Sequence, residues 1–272
     1  VVSDVQKKFG DLFIHFGKIK KGKINLNDSV ELNIDFERRK SIRAYHSATH
    51  LLHESLRRTL GKHVMQKGSL VAPDRLRFDF SHMKSISESE LDKINDIVNQ
   101  IVDNKSDVIT RLMTPKEGME HGALALFGEK YGEEVRVVFM GEEGNKYFST
   151  ELCGGTHVRN TSEVGKFKIV SQSAIAAGVR RVEALRDIQL DKYLQEKEKN
   201  INLSTQKDEE NINNLLNQIK KLGGEVKITS DDKKLVIKEL TRQLDQLNIK
   251  SVLEDKSKNI VQDFEINKVK VR

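Results

Sequence analysis

The 272-residue chain has no tryptophan, one cysteine and two prolines, and aromatic residues make up only 6% of it. A single cysteine excludes an internal disulfide, which favours a reducing compartment and leaves the thiol free to bind a metal. No apolar run approaches the roughly 18 residues of a membrane span, and no charged-then-apolar leader opens the sequence. We therefore expect a soluble, cytoplasmic protein with no membrane partner.

Charged residues make up 32% of the chain, and the formal net charge is +6. Most of the basic excess, +5, lies in residues 1–186. This distribution indicates a polyanionic partner, most commonly nucleic acid, although surplus lysine more often serves plain solubility. The length allows one large domain or two modest ones.

Two short motifs contain residue types that bind metals. In the His-Ser-Ala-Thr-His motif, His46 and His50 lie four residues apart, so a helix over 45–60 would stack them on one face. The Cys-Gly-Gly-Thr-His motif offers Cys153 and His157 around a glycine turn. Together they predict a zinc site. On spacing alone a structural and a catalytic site are equally good interpretations, because catalytic zinc normally keeps one position open. His53, two turns after His46, is predicted to lie on the surface or to support a ligand rather than bind the metal.

The first 186 residues divide into two predicted units. Residues 1–43 alternate short apolar stretches with glycine and asparagine turns, which predicts a partial small β-barrel with strand-like alternation over 30–36. Residues 44–186 predict an α+β domain, in which helices lie against an antiparallel sheet. One of these helices spans 87–102 and opens with a Ser-x-x-Glu capping box. The sheet's predicted strands are 63–71, 75–80, 135–140 and 166–171.

The remaining residues change in character. Residues 187–224 keep a near-heptad apolar spacing, which predicts a helical connector that could mediate oligomerisation. Its phase breaks between Ile201 and Ile212, which favours a helical hairpin. Residues 225–272 predict the truncated start of an α/β domain, with strands at 225–229 and 251–253, a helix at 233–247 and a last strand cut at 267–272. Since the chain also opens on Val1, we expect it to be part of a longer protein.

Six motifs in order closely resemble the editing region of alanyl-tRNA synthetases: 46–52, 66–71, 77–82, Leu126–Tyr131, 150–157 and 176–184. The resemblance runs from about residue 8 to 186, and the following helix resembles the start of the family's C-terminal region more weakly. It implies hydrolysis of the ester that links serine or glycine to the terminal adenosine of alanine tRNA. Such a second sieve is needed because one missing methyl group gives only ~1–3 kcal/mol of discrimination. The family's ATP-dependent charging domain has no counterpart here, so we expect no aminoacylation.

The resemblance also implies roles for particular residues. His46, His50, Cys153 and His157 would bind zinc, which would orient the aminoacyl group and either polarise its carbonyl or hold the attacking water. Four ligands argue against a simple zinc-hydroxide mechanism unless one is loose or the ion becomes five-coordinate.

Three further residues are candidates for catalysis. Thr49 could offer its hydroxyl to a serine side chain, or it could satisfy its own helix. Gln66 is suited to hydrogen-bonding substrate or water. Asp79 shares a strand face with Arg77, so an ion pair between them is the plainer interpretation.

Four cations are candidates for contacts with the CCA end of the tRNA, although each could equally be a solvated surface charge: Lys67, Arg77, Arg180 and Arg181.

Three alternatives stay open. A free-standing AlaX-type trans-editing protein would share the chemistry, but the long helical tail favours a synthetase. The editing domain of threonyl-tRNA synthetases shares the ligand spacing, whereas the Arg-Phe-Asp-Phe-Ser-His stretch favours the alanyl form. The third alternative is a zinc-stabilised RNA-binding module without activity.

Overall fold

The computed structural model describes residues 1–10, 12–124 and 132–258, and the backbone of two short strands near the C-terminus; from residue 253 only the backbone is described. The Leu126–Tyr131 motif therefore lies outside the described residues. The first half contains β1 (Val2–Lys8), β2 (Leu12–Gly17), α1 (Phe36–Leu60), β3 (Gln66–Val71), β4 (Leu76–Ser81), α2 (Glu88–Asp103), β5 (Ile109–Met113) and α3 (Pro115–Glu120). The second half contains β6 (Val135–Glu143), β7 (Lys146–Leu152), a 3-10 turn (Thr161–Val164), β8 (Phe167–Ala176), β9 (Val179–Arg186), α4 (Asp187–Lys221), α5 (Lys233–Lys258), β10 (Phe264–Ile266) and β11 (Val269–Val271).

Two antiparallel sheets build the centre of the molecule, which confirms the predicted α+β class. The larger sheet has the strand order β3-β4-β9-β8, and the smaller has the order β5-β6-β7. Helix α1 contacts α2, strands β3 and β4 of the larger sheet and β7 of the smaller one. The main hydrophobic core contains fully buried side chains from these elements, among them Tyr45, Leu51, Leu52, Leu56, Phe78, Phe80, Ile94 and Met140. Each such side chain contributes about 1.5–3 kcal/mol on burial, so this core fixes α1 between the sheets.

Helix α1 is longer than the sequence predicts. It begins at Phe36, after Asp35 caps it by accepting a hydrogen bond from the backbone N–H of Arg38 at 2.9 Å. It ends at Leu60, and the capping residue Gly61 adopts a positive φ of 119°. The strand-like alternation over 30–36 is a wrong prediction, because residues 30–35 form no strand and Val30, Leu32 and Ile34 are all about 60% exposed. The β1–β2 hairpin is described before α1, and the predicted partial barrel stays a prediction.

The other predicted helix and strands of this region form with small shifts. Ser87 caps α2, and the reciprocal hydrogen bonds of the predicted capping box with Glu90 are both present. The first strand of the larger sheet begins at Gln66 rather than three residues earlier, and β8 runs to Ala176. The Cys-Gly-Gly-Thr-His loop follows β7 directly, at the end of a strand that packs against α1.

The C-terminal part departs furthest from its predictions. The predicted helical hairpin is wrong, because α4 is one continuous helix of 35 residues. Helix α5 extends to Lys258, so the strand predicted at 251–253 lies inside a helix, and 225–229 forms no strand. A separate hydrophobic cluster joins the two helices through Leu215 and Ile219 of α4 and Val236 and Leu240 of α5. The predicted domain limits and the oligomeric role of the connector stay predictions. Among the described helices, none is both long and apolar enough to cross a membrane.

Candidate metal centre

Four side chains with metal-binding atoms converge beside α1. His46 and His50 come from adjacent turns of that helix, and Cys153 and His157 come from the loop after β7. One ligand atom from each lies within 4.8 Å of all the others. His50 and His157 are buried, whereas His46 and Cys153 are half-buried, so one side of the cluster faces solvent.

The cysteine sulfur lies at distances from two of the histidines that match those in a tetrahedral metal site. The Sγ of Cys153 lies 3.5 Å from Nε2 of His46 and 3.3 Å from Nε2 of His157. Zinc–sulfur and zinc–nitrogen bonds of about 2.3 and 2.05 Å at a tetrahedral angle separate S and N by about 3.5 Å. The Nε2 of His50 is buried and has no hydrogen-bond partner among the described residues. A metal ion bound by all four atoms would satisfy it.

The other ring nitrogen of each histidine has a partner that fixes the ring. Nδ1 of His46 lies 3.2 Å from the carbonyl of Thr156, and Nδ1 of His157 lies 3.3 Å from Oγ of Ser47. Nδ1 of His50 donates to the carboxylate of Glu151 at 2.7 Å. Such outer partners select the tautomer and orient the ligand, and they strengthen metal binding.

Glu151 is a buried carboxylate that joins two histidines. It accepts from Nδ1 of His50 and, at 3.1 Å, from Nδ1 of His53. His53 is 5% exposed and lies outside the four-ligand cluster, so it supports a ligand indirectly rather than lying on the surface. Sequence reasoning assigned Glu151 no role; its one signal is an acidic residue two positions before the cysteine.

Gly155 is required where the loop approaches α1. A β-carbon at this position would lie 2.1 Å from Cε1 of His46. At Gly154 a β-carbon would have no neighbour within 4 Å. The two adjacent glycines therefore differ. Gly155 allows the loop to contact the ring of His46, whereas Gly154 borders open space.

Two of the four candidate ligands, Cys153 and His157, are held in the protonation states that metals bind. Burial raises the pKa of the Cys153 thiol, but hydrogen bonds from His157 and His46 outweigh it and lower this pKa to about 3. Burial, with the neighbouring histidines, lowers the pKa of His157 to about 4. Burial also lowers the pKa of His50, but the charges of Glu151 and Cys153 prevail and raise it to about 10. The same two anions would stabilise a metal cation in that place.

Two of the predicted catalytic residues, Thr49 and Gln66, lie in different surroundings. Thr49 is buried in α1 and donates its hydroxyl to the carbonyl of Tyr45 at 2.9 Å, as in the helix-satisfying alternative. Its oxygen still offers acceptor lone pairs. Gln66 is half-buried at the start of β3, opposite Phe80 of β4.

Asp79 and two of the four predicted tRNA-binding cations, Arg77 and Arg181, form a network on the larger sheet. Arg181 donates to both oxygens of Asp79, at 2.7 and 2.8 Å, and Arg77 lies 4.0 Å from the same carboxylate. The predicted Arg77–Asp79 pair is thus present, but Arg181 is the closer partner. Arg180 donates to the amide oxygen of Gln172 at 2.9 Å. Lys67 is exposed on β3.

Two arginines that the sequence reasoning missed hold the loop between the ligands. The Nε of Arg43, one turn before His46 on α1, donates to the carbonyl of His157 at 2.7 Å. The Nε of Arg136, on β6, donates to the carbonyl of Cys153 at 3.2 Å. More than 100 residues separate Arg43 from the loop, and no motif joins them, so the sequence offered no signal for this contact.

Comparisons with known proteins identify sequences similar to this chain. Residues 135–183 match the family described as the threonyl and alanyl tRNA synthetase second additional domain. An alanine–tRNA ligase from Chelativorans sp. (strain BNC1) is 55% identical over 205 residues, which is 74% of this chain and 23% of that protein. One from Rhodopseudomonas palustris is 58% identical over 191 residues, 68% of this chain and 22% of that protein.

The chain thus spans between a fifth and a quarter of the length of these relatives. The resemblance to alanyl-tRNA synthetases that the sequence motifs predicted is confirmed.

Proposed function

We propose that this chain, as a relative of the alanyl-tRNA synthetases, hydrolyses the ester bond of alanine tRNA that wrongly carries serine or glycine. The observation that carries the proposal is the four-donor cluster with one open side: His50 and His157 are buried, while His46 and Cys153 are partly accessible. A substrate can therefore approach the ligands from solvent. The ester's reaction with water releases the amino acid and restores the terminal hydroxyl of the tRNA.

Zinc is the proposed ion. One thiolate and three imidazoles form a donor set that suits zinc, and the two sulfur–nitrogen spacings agree with its bond lengths. When bound at His46, His50, Cys153 and His157, zinc would supply a Lewis acid near the ester carbonyl or the attacking water. Glu151 would hold His50 in place, and Ser47 would do the same for His157.

Thr49 and Gln66 are proposed to recognise the aminoacyl group. Since the hydroxyl hydrogen of Thr49 is donated to Tyr45, its oxygen can only accept, which suits the hydroxyl of a seryl group as donor. The amide of Gln66 can donate to a carbonyl or accept from a water. Asp79 is better suited to a structural role, because its charge is satisfied by Arg181.

The proposed partner is the acceptor end of tRNA(Ala), and the proposed location is the cytoplasm. The basic excess of residues 1–186 supports a polyanionic partner. We retain residues 44–186 as the editing domain, 1–43 as a partial β-barrel, 187–224 as a connector through which the chain could oligomerise, and 225–272 as the start of a further domain.

The test is the rate at which the chain deacylates seryl-tRNA(Ala), glycyl-tRNA(Ala) and alanyl-tRNA(Ala) at one salt concentration, with and without a zinc chelator. We expect the seryl and glycyl esters to be lost quickly and the alanyl ester to be spared. Chelation or Cys153→Ala should abolish the reaction while circular dichroism shows an intact fold. Hydrolysis that survives both the chelator and the substitution would contradict the proposal.

The four-donor count favours a second candidate, a zinc-stabilised tRNA-binding module without hydrolytic activity, because closed four-ligand shells are usually structural. The same experiment separates the two. Stoichiometric zinc, tRNA binding and no deacylation, with global unfolding of Cys153→Ala, would favour the module.

A further inference from the structure

We propose that Arg43 and Arg136 bind phosphate beside the metal centre, and that their ligand is the phosphodiester nearest to the 3′ end of an RNA. The inference rests on the proposed function for the identity of the RNA. It concerns residues that neither the sequence motifs nor the predicted tRNA contacts include.

Both arginines are held next to the metal ligands. Each donates its Nε–H to the carbonyl of a ligand residue, Arg43 to His157 and Arg136 to Cys153. Both guanidinium groups therefore lie within one side-chain length of the ligand cluster. Their positions are fixed by α1 and β6, two elements that also carry or flank the ligands.

The remaining donors of these guanidinium groups are free to bind a ligand. A guanidinium has five N–H donors, and each arginine uses one of them on the loop. Over the described residues, Arg43 and Arg136 have no carboxylate partner, and their terminal nitrogens are not among the buried atoms without hydrogen bonds. Both side chains are half-buried, so their positive charges are not neutralised by a described carboxylate and are partly accessible.

Arginines in this state suit a phosphate ligand. The planar fork donates two parallel hydrogen bonds to an oxyanion, which makes arginine the usual residue for phosphate recognition. Between the two held carbonyls, the loop at Gly154 borders open space, so a ligand can approach there. In a charged tRNA, one ribose separates the terminal ester from the nearest phosphate, so a phosphate held here would leave the ester beside the ligands.

The predicted tRNA-binding arginines are less suited to this role. Arg181 is engaged by both oxygens of Asp79, and Arg180 is bound to Gln172. Arg77 lies beside the same aspartate with its Nε buried. Arg77 and Arg181 share the negative charge of Asp79, and Arg180 has a terminal nitrogen bound to Gln172, whereas Arg43 and Arg136 use only their Nε atoms.

The test measures RNA binding and zinc binding on the same variants. The probe is a labelled RNA hairpin that reproduces the acceptor stem with its CCA end, and its Kd is measured by fluorescence anisotropy at several salt concentrations. The variants are Arg43→Gln and Arg136→Gln, which keep an N–H donor for the loop carbonyl but lose the charge. Arg43→Lys and Arg136→Lys restore the charge. Arg242→Gln, on α5, makes the same change in net charge away from the centre.

We expect each glutamine variant to weaken RNA binding about tenfold or more, because a charge-assisted hydrogen bond is lost. The slope of log Kd against log salt concentration should fall by about 0.7 for each lost phosphate contact. The lysine variants should recover most of that slope, and Arg242→Gln should match the unaltered chain. Zinc stoichiometry and the Co²⁺ absorption spectrum should be unchanged in every variant. In the two glutamine variants, KM for aminoacylated tRNA should rise while kcat is retained.

Unchanged RNA affinity and salt slope in the glutamine variants would overturn the proposal. So would loss of zinc in the lysine variants, since the arginines would then only brace the loop. Because RNA binding is measured without hydrolysis, the outcomes separate the two proposals. A chain that binds the hairpin through these arginines but does not deacylate contradicts the proposed function alone, whereas an active chain whose binding ignores them contradicts this inference alone.

Discussion

At the scale of single residues, the protein carries a charge that would balance a metal ion at the candidate centre. A Zn²⁺ ion bound with one thiolate would keep a net charge of +1, and the buried carboxylate of Glu151 beside His50 would compensate it. Its carboxylate is buried, and contacts with His50 and His53 hold its pKa well below the usual range despite burial. A neutral site is far cheaper to bury than a charged one.

Replacing that carboxylate should weaken metal binding. We expect Glu151→Gln to lower zinc affinity about 10–100-fold, the usual effect of losing an outer partner of a metal-bound histidine. Competition with a chromophoric chelator measures the affinity. Glu143→Gln is the matched control, since Glu143 is an exposed carboxylate on β6 that pairs with Arg58. Equal affinities for both variants would show that Glu151 does not act on the metal.

Alanine substitutions at the two adjacent glycines of the loop should differ in their effect on zinc affinity. A methyl group at Gly155 would meet the ring of His46 at 2.1 Å, so Gly155→Ala must displace a ligand and should reduce zinc affinity by about tenfold or more. Gly154→Ala places its methyl group in open space and should bind zinc as the unaltered chain does. The Co²⁺ spectrum of each variant reports the ligand geometry. Similar losses for both would mean that the loop needs glycine for flexibility alone.

Asp79 should contribute stability that depends on pH. Hydrogen bonds from Arg181 outweigh burial and hold the pKa of Asp79 below its usual range. A lowered pKa in the folded state means that the stabilisation is present above the unfolded value, about 4, and is lost as pH falls through the folded pKa. We therefore expect the unaltered chain to exceed Asp79→Asn in free energy of unfolding at pH 7.

That difference should shrink as pH falls below about 4. Urea unfolding of both chains between pH 7 and 3, with a chelator throughout to remove metal effects, measures it. A difference that stays constant with pH would contradict a contribution from the ionised carboxylate.

At the scale of secondary-structure elements, the capping box of α2 is a local device that was visible in the sequence. Ser87→Ala removes the hydroxyl that accepts from the backbone of Glu90 and should cost about 1 kcal/mol in free energy of unfolding. Ser85→Ala changes an exposed serine two residues earlier and serves as the control. Chemical denaturation of both variants measures the effect. Equal stabilities would mean that α2 does not depend on its cap.

Elements that bury a periodic apolar face could be predicted from the sequence, and others could not. The leucines after His50 predicted the second half of α1, whereas residues 36–43 are largely exposed and carry no such pattern. The middle of α4 is polar and has no periodic apolar face, so the sequence predicted a hairpin where the structure has one continuous helix. At 30–36 the alternation of apolar residues was real, but no neighbouring strand pairs with it.

The candidate centre was predictable only in part. Its four possible ligands followed from two local spacings and from the family resemblance. The support they receive depends on contacts across about 100 residues, such as Glu151 to His50 and Arg43 to His157. Such contacts follow from how β7 and α1 pack, which no local pattern encodes.

At the scale of the whole molecule, the described residues form separate hydrophobic clusters. The main cluster surrounds α1 and carries the candidate centre, and another joins α4 to α5. At a free zinc concentration of one hundred times its Kd, zinc binding should stabilise the folded state by about 2.7 kcal/mol. This stabilisation should be limited to the unit that binds the ion.

Hydrogen exchange with and without zinc should reveal this division. We expect added protection in α1, β7 and the loop that follows, and unchanged protection at the α4–α5 contact. Zinc-dependent protection of α5 would show that the two clusters unfold as one cooperative unit.

The unbroken course of α4 has a geometric consequence for insertions and deletions. A straight helix of 35 residues is about 50 Å long, and its first turn follows the larger sheet while Leu215 and Ile219 near its far end contact α5. One inserted residue would move α5 outward by only about 1.5 Å but would swing it about 100° around the helix axis. Seven inserted residues would return it to within about 20° of its original bearing. The azimuth of α5 is thus tied to the residue count of α4 much more strictly than its distance is.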